Sequence, residues 1–428
     1  MEAKPPGRSL IDDCVHCGFC LPVCPTYISW SEEMDSPRGR IDLMKGLRDG
    51  KLAMNETVVA HFDRCLGCMA CVTACPSGVK YDILIEQTRA QVEHGYRRPL
   101  RQKLFLATLF ALLPHPGRWK LILPLMFVYA KSGLRALLRA VGLFKILPRR
   151  FADLEELMPP VTLEHLRANL PEHTPARGER RAKVALLAGC VQRVFFPRVN
   201  EATVRVLSAE GCDVVVPRGQ GCCGALSIHA GREHEALDFA RALIARFESL
   251  TDVDAIIVNA AGCGSNLKDY GRLFARDPAW SARAAAFASK VRDVSEFLSS
   301  LPPRAERHPI AARVAYHDAC HLAHAQRIRE QPRTLLRTIP GLELVEIPDG
   351  DQCCGSAGIY NLVQPESARQ IGERKADNVL SARPDRLCSA NPGCTLQIQK
   401  ILRSRGIDLS TAHPIELLDA SIAGRGPA

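Results

Sequence analysis

Residues 14–25 read CVHCGFCLPVCP and residues 65–76 read CLGCMACVTACP, two copies of one frame, C-x2-C-x2-C-x3-C-P. Three cysteines at x2 spacing wrap one loop around a small volume, and a [4Fe-4S] cube needs four thiolates converging on such a volume. Pro25 and Pro76 end each loop by fixing φ and removing a donor. A four-cysteine zinc site uses C-x2-C pairs across a longer spacer and asks for no third cysteine at x2. Disulfides need an oxidising compartment, and the opening MEAKPPGRSLIDD lacks the apolar core of a signal peptide. The frames therefore point to iron-sulfur chemistry and to a chain that carries electrons.

In two-cluster ferredoxins the fourth cysteine of each run ligates the other cluster. The expected sets are Cys14, Cys17, Cys20 with Cys75, and Cys65, Cys68, Cys71 with Cys24. Between the frames, SPRGRIDLMKGLRDG predicts a short helix with Ser36 at the N-cap, Pro37 at N1 and Gly50 as terminator. A mostly helical two-cluster ferredoxin module is expected over residues 8–96. Arg38 and Arg40 stand at the helix start, either as positive charge near a cluster or as an ordinary solvated turn.

A chain of 428 residues with 46% hydrophobic and 24% charged residues is an ordinary folded protein of two to four domains. Its eighteen cysteines point to metal or redox work in a reducing compartment. The net charge of +10 is unevenly spread: residues 97–150 hold twelve Lys and Arg and no Asp or Glu. The same segment carries LFLATLFALLP and LILPLMFVYA, each well short of the ~20 apolar residues of a spanning helix. Residues 97–182 therefore read as a basic, apolar linker. It either contacts an anionic membrane surface or a partner subunit, or packs its leucines on neighbouring domains. No nucleic-acid motif is present, and no nucleic-acid partner is expected.

After PEHTPARGERRAK, a polar hinge at residues 171–183, the chain repeats itself. VALLAGC, CDVVVP, GCCG and AIIVNAAGCG recur as VAYHDACH, LELVEIP, QCCGSAG and RLCSANPGC, with Cys222 to Cys353 and Cys263 to Cys394 both offset by 131 residues. Short β-branched runs alternate with helices, the pattern of β-α-β units on a parallel sheet. A duplicated α/β cysteine-rich domain is expected, over residues 183–305 and 306–420. Its cysteines fall at strand C-terminal ends, where open α/β sheets place their ligand sites. Cys190, Cys222, Cys223 and Cys263 would gather on one rim and Cys320, Cys353, Cys354 and Cys394 on another, as further metal sites near surfaces for electron exchange. Cys212 and Cys388 lie inside strand runs without a counterpart and read as core. His317 and His321 flank Cys320 and read as structural.

The double ferredoxin frame followed by two CCG domains resembles the iron-sulfur subunit of bacterial glycolate oxidase. The likeness rests on CVHCGFCLPVCPTY, SPRGRIDL, CPSGVKY, AGCV, GCCGA, AAGCG, CCGSAGIY and ANPGC, and runs from about residue 10 to 420. It implies an α+β multidomain subunit with two [4Fe-4S] clusters, and possible further clusters in the CCG domains. Separate flavoprotein subunits would oxidise glycolate to glyoxylate, and this chain would pass the electrons to a respiratory acceptor such as a quinone. Neither a G-x-G-x-x-G after a strand nor a P-loop is found, so flavin is expected on the partners only and no catalytic residue on this chain. The expected location is the cytoplasm, peripheral on the inner face of the inner membrane.

Related alternatives are the iron-sulfur subunit of anaerobic glycerol-3-phosphate dehydrogenase and a heterodisulfide-reductase-like thiol/disulfide enzyme. The heterodisulfide reductase domain closes with C-x2-C, whereas Ala260 and Asn391 stand three residues before the last cysteine here. A five-thiolate cluster cannot form in the same way; a four-thiolate one can. A zinc-stabilised scaffold is the third class.

Overall fold

A computed structural model describes residues 6–146, 149–159 and 161–426. The side chains of Lys145, Arg149 and Arg150 lie outside the described residues, as do residues 1–5 of the opening stretch.

Through Gly95 the described residues hold helices and loops and no strand. Helix Pro37–Arg48 begins as its sequence dictates: the Ser36 hydroxyl accepts the Gly39 N–H at 3.0 Å with Pro37 at N1, and Gly50 beyond the end is left-handed at φ 70°. Ile41, Met44, Phe62, Leu84 and Ile85 from three helices form the module's core, with Cys65 and Cys71 built into it.

The linker is helical: Leu100–Leu112, Pro116–Lys131, Leu134–Ala140, Leu143–Ile146 and Arg149–Leu157. Among the described residues no single helix is long and apolar enough to cross a membrane; Pro116–Lys131 and Leu134–Ala140 reach that length only together, bent by 63°. Leu109, Phe110 and Leu123 are buried against the rest of the chain, while Leu104, Leu121 and Leu125 stay exposed. Several of the linker's cations are paired: Arg98 with Asp63 at 2.6 Å, and Arg135 and Arg139 both with Glu155 at 2.5 Å.

Among the described residues nine strands follow: β1 (His173–Thr174), β2 (Ala182–Leu187), β3 (Cys212–Val215), β4 (Ala255–Val258), β5 (Val291–Asp293), β6 (Ala312–His317), β7 (Leu342–Glu346), β8 (Arg386–Ser389) and β9 (Ser410–Ala412). They form two sheets, β1-β3-β2-β4-β5 and β7-β6-β8-β9. Without β1 the two orders are the same, and every pairing in that shared part is parallel. The repeat in sequence is thus a repeat in topology. Central strands β2 and β4 read VALL and AIIV and are buried on both faces, as a parallel sheet covered by helices requires.

The polar hinge is corrected in part. His173 and Thr174 pair antiparallel with Val215 and Val214, and Ala182 and Lys183 already belong to β2. Backbone pairing at an open sheet edge recruits a polar dipeptide with no apolar pattern to mark it. The two copies share a core: Val184, Leu186 and Val206 of the first pack in one buried cluster with Val314, Tyr316 and Leu418 of the second. Arg205 and Asp419 clamp the same contact at 2.8 Å.

Candidate metal centres

The two N-terminal frames fold into the same loop. At the second position after the leading cysteine stand His16 (φ 56°) and Gly67 (φ 65°), and at the fourth Gly18 (φ 87°) and Met69 (φ 64°), all left-handed. A left-handed His or Met costs roughly 1–2 kcal/mol, so the matched geometry is imposed by the loop. Such turns aim backbone N–H groups inward as an anion-binding nest, and the Gly67 N–H donates to Cys65 Sγ at 3.4 Å.

The frames also interlock. Cys14, Cys17 and Cys20 line one small cavity together with Cys71 and Cys75 from the other frame, under Pro37 and Arg38. Burial pushes the thiols of Cys68 and Cys71 well up, and the neighbouring thiols of Cys24 and Cys65 push them further. Cys75 thus lies with Cys14, Cys17 and Cys20, and Cys24 lies beside Cys68 and Cys71, while Cys71 borders both groups.

Two arginines supply the charge such a site needs. Arg40 is 1% exposed; its Nη2 lies 3.2 Å from Asp35 Oδ1, and its Nε donates to the His61 carbonyl at 2.6 Å. Burial opposes its charge, yet Cys65, Tyr81, Cys24 and Asp35 keep it protonated. At Cys65 burial would raise the pKa, but the charges of Arg40 and Arg89, the Gly67 N–H and the Tyr81 hydroxyl outweigh it and hold it below the usual thiol value. Arg40 is thus no solvated helix start, whereas Arg38 is paired with Glu33 at 2.6 Å. Arg89 had no sequence signal, because only folding carries helix Tyr81–Gly95 past the second frame.

In the cysteine-rich copies every expected thiol lies past a strand end. Cys190 follows β2 and Cys320 follows β6; Cys263 and Cys394 sit in the first turns of helices Ala261–Lys268 and Pro392–Ser404. Gly224 (φ 80°) and Gly355 (φ 86°) end the CCG turns, where an added Cβ would stand 2.8 Å from the Ala236 carbonyl and 2.6 Å from that of Ala368. Both positions demand glycine. Cys190 and Cys222 Sγ are 3.5 Å apart. Hydrogen bonding among the thiols, burial and mutual repulsion together raise the thiols of Cys223, Cys320, Cys353 and Cys354 well above the ordinary value. Thiolates there require a compensating cation, which is what a bound metal provides.

The two rims share one space. They face one cavity of about 590 Å³, lined by all eight thiols together with Cys65 and Leu66 of the N-terminal module and the linker helices. Strand C-terminal ends of both sheets point inward because the copies pack side by side with the module over the opening between them.

Three neighbours of these thiols carry weight that the sequence did not show. His317 is fully buried, its ring within 4.8 Å of the Cys354 and Cys394 thiols, and neither ring nitrogen has a hydrogen-bond partner. The first copy holds Leu187 at the equivalent position. Asn391, where a cysteine would complete C-x2-C, donates its amide to Cys394 Sγ at 3.3 Å. His321 lies 3.6 Å from Cys320 Sγ through Nδ1 and 3.2 Å from His229 Nε2 through its own Nε2. Cys212 and Cys388 lie in the common core, as their strand positions imply.

Comparison with known proteins matches this architecture piece by piece. Residues 10–79 match the 4Fe-4S dicluster domain, residues 184–268 and 314–399 the cysteine-rich domain, and residues 101–158 the linker region of the glycolate oxidase iron-sulfur subunit. The chain is 39% identical over 414 residues to the probable glycolate oxidase iron-sulfur subunit of Bacillus subtilis (strain 168), covering 95% of this chain and 93% of that one. It is 33% identical to the glycolate oxidase iron-sulfur subunit of Escherichia coli (strain K12), over 97% of this chain and 95% of that one. The chain belongs to the glycolate oxidase iron-sulfur subunit family.

A further relative, a subunit of the fumarate reductase (CoM/CoB) of Methanothermobacter marburgensis, is 36% identical over 56% of this chain and 46% of its own length. Membership of the glycolate oxidase iron-sulfur subunit family makes this an iron-sulfur electron-transfer subunit with a mixed helix and sheet fold. The donor sets described above fit that chemistry: clustered thiols, inward N–H groups and buried guanidinium charge.

Proposed function

We propose that the chain takes electrons from a flavoprotein partner that oxidises glycolate to glyoxylate and hands them to a respiratory acceptor. The observation that carries this reading is the unbroken line of thiols. The Cys14, Cys17, Cys20 and Cys75 group adjoins the Cys24, Cys65, Cys68 and Cys71 group, which in turn packs on the second cysteine-rich rim. In this reading each N-terminal group holds one [4Fe-4S] cluster, and the rims hold further metal through Cys190, Cys222, Cys223, Cys263 and Cys320, Cys353, Cys354, Cys394. Such clusters, when bound, accept and release one electron at a time, which suits a chain placed after a two-electron flavin.

The residues of the chain do the rest. Arg40 and Arg89 offset thiolate charge, the left-handed loop residues aim N–H groups at sulfur, and the apolar packing of Leu66 and Tyr360 keeps water from the contact between module and rim. Residues 8–96, 97–182, 183–305 and 306–420 are the corresponding working units. The basic linker is read as the membrane-facing element, holding the subunit at the cytoplasmic surface.

Co-purification tests the assignment. A flavoprotein partner should accompany the chain, with iron above the ~8 atoms that two cubanes supply. A glycerol-phosphate dehydrogenase partner, or zinc in place of iron, would redirect it.

A further inference from the structure

The two cysteine-rich copies share a topology, yet their thiols stand in different surroundings. Cys190, Cys222 and Cys223 of the first copy lie in one buried cluster, with Cys263 packed against it. In the second copy the four thiols divide. Cys320 and Cys353 face the N-terminal module, in one cluster with Leu66 and Cys68, whereas Cys354 and Cys394 belong to the copy's own core beside Ala315 and Ile398.

A histidine stands at this inner pair. His317 ends β6, and its buried ring offers a nitrogen that lies with the sulfurs of Cys354 and Cys394 inside a mutual spacing of 4.8 Å. Neither ring nitrogen makes a hydrogen bond. A buried polar group left unpaired costs about 1–3 kcal/mol, and the first copy avoids that cost with Leu187 at the same position. Packing alone therefore does not ask for histidine here. The surroundings are those of a metal-bound imidazole and thiolate, which outer hydrogen-bonding groups orient. Asn391 donates its amide to Cys394 Sγ at 3.3 Å, and the Gly350 carbonyl, which Lys375 Nζ reaches at 3.2 Å, lies beside the ring. Ala260 takes the place of Asn391 in the first copy, so that rim has neither the ring nor the amide.

We propose that His317 is a metal ligand, joining Cys354 and Cys394 in a mixed imidazole–thiolate site that the first rim does not have. Donors bound to one ion at about 2.0–2.3 Å stand roughly 3.5–4 Å from one another, so the observed spacing closes with small side-chain movements. Cys353, whose thiol hydrogen-bonds that of Cys354, is the next donor in reach. Such a set suits iron or zinc. An imidazole in place of a thiolate removes one negative charge, which raises the potential of an iron centre. The inference rests on the function proposed above only in taking the rims to hold metal.

The test uses the full chain, grown with nitrogen-15 histidine, purified anaerobically and assayed for iron and zinc. Pulsed electron paramagnetic resonance of the reduced chain reads histidine nitrogen bonded to iron, and X-ray absorption at the zinc edge reads it beside zinc. One metal should carry a histidine nitrogen, lost in His317→Leu and kept in His321→Gln. Should His317→Leu not fold, His317→Cys should keep the metal and lose the nitrogen. A natural chain with no histidine nitrogen on any metal overturns the proposal, as does a nitrogen that survives replacement of His317. Sulfur-only iron beyond the ~8 atoms of two cubanes refutes the ligand and leaves the electron-transfer reading standing. Zinc held through His317 upholds the ligand and refutes that rim as an electron carrier. Neither zinc nor iron beyond those ~8 atoms refutes both.

Discussion

Cys68 of the second N-terminal frame and Cys320 of the second cysteine-rich copy lie in one buried cluster, with Leu66, Cys353 and Tyr360 between and around them. They are far apart in sequence, yet the second frame touches the second rim with no solvent layer. The contact is fastened at its edges, by Trp30 to Gln370 at 2.6 Å and Thr73 to His324 at 3.1 Å. Arg272 and Glu86, 2.7 Å apart, hold the module to the first copy. Both copies touch the module, but only thiols of the second rim, Cys320 and Cys353, share a buried cluster with its Cys68.

Interleaved ligation, as proposed, would make the two frames interdependent. Cys75→Ser should damage the cluster assigned to Cys14, Cys17 and Cys20 first, read as loss of one of two electron paramagnetic resonance signals. Loss confined to the signal assigned to Cys65, Cys68 and Cys71 would contradict the pairing.

Arg40 should prove both structural and electronic. Arg40→Met leaves Asp35 buried with one guanidinium fewer, a change that costs about 3–5 kcal/mol when a buried pair is broken, although His61 and Arg64 still reach Asp35 at 3.0 Å. Thermal unfolding should shift down, and the potential of the cluster nearest Cys65 should become more negative as positive charge is removed. An unchanged potential in a folded variant would separate the two roles.

The fold was legible wherever local chemistry decides it, and the site only in part. The Ser36–Pro37 cap, the helical module and six of the strands follow from capping, spacing and β-branched runs. Strands β1, β5 and β9 are two or three residues long and exist by pairing, so no pattern announces them. The sixteen candidate thiols were legible as possible ligands from their spacing. Their context was hidden, because Arg89, His229 and the linker wall reach the thiols through tertiary packing that spacing alone does not encode.

Asp293 gives a pH test. Burial lifts its carboxyl to about 6 against the ordinary 3.8, although the Ser295 N–H it caps pulls the other way. A folded pKa above the unfolded value means a stabilising contribution that is full below about 3.8 and lost as pH rises through about 6. Asn caps a helix as well as Asp. Asp293→Asn should therefore stabilise the chain at pH 7, by on the order of 2 kcal/mol, and have little effect at pH 4. Equal effects at both pH values in denaturant unfolding would refute this.

The linker's charge predicts salt-sensitive membrane contact. Each cation near an anionic surface contributes about 1 kcal/mol and is screened within a Debye length. High-salt washing of membranes should release at least part of the bound protein. Protein that leaves only with detergent would be integral.

In the proposed function this chain carries the electrons of a glycolate-oxidising partner. Its most direct test is electron paramagnetic resonance of the anaerobic complex before and after glycolate, beside the isolated chain. Glycolate should bring up reduced iron-sulfur signals in the complex and none in the chain alone. A complex whose flavin is reduced by glycolate while the iron-sulfur signals stay oxidised, or whose signals appear with glycerol 3-phosphate instead, would contradict the account.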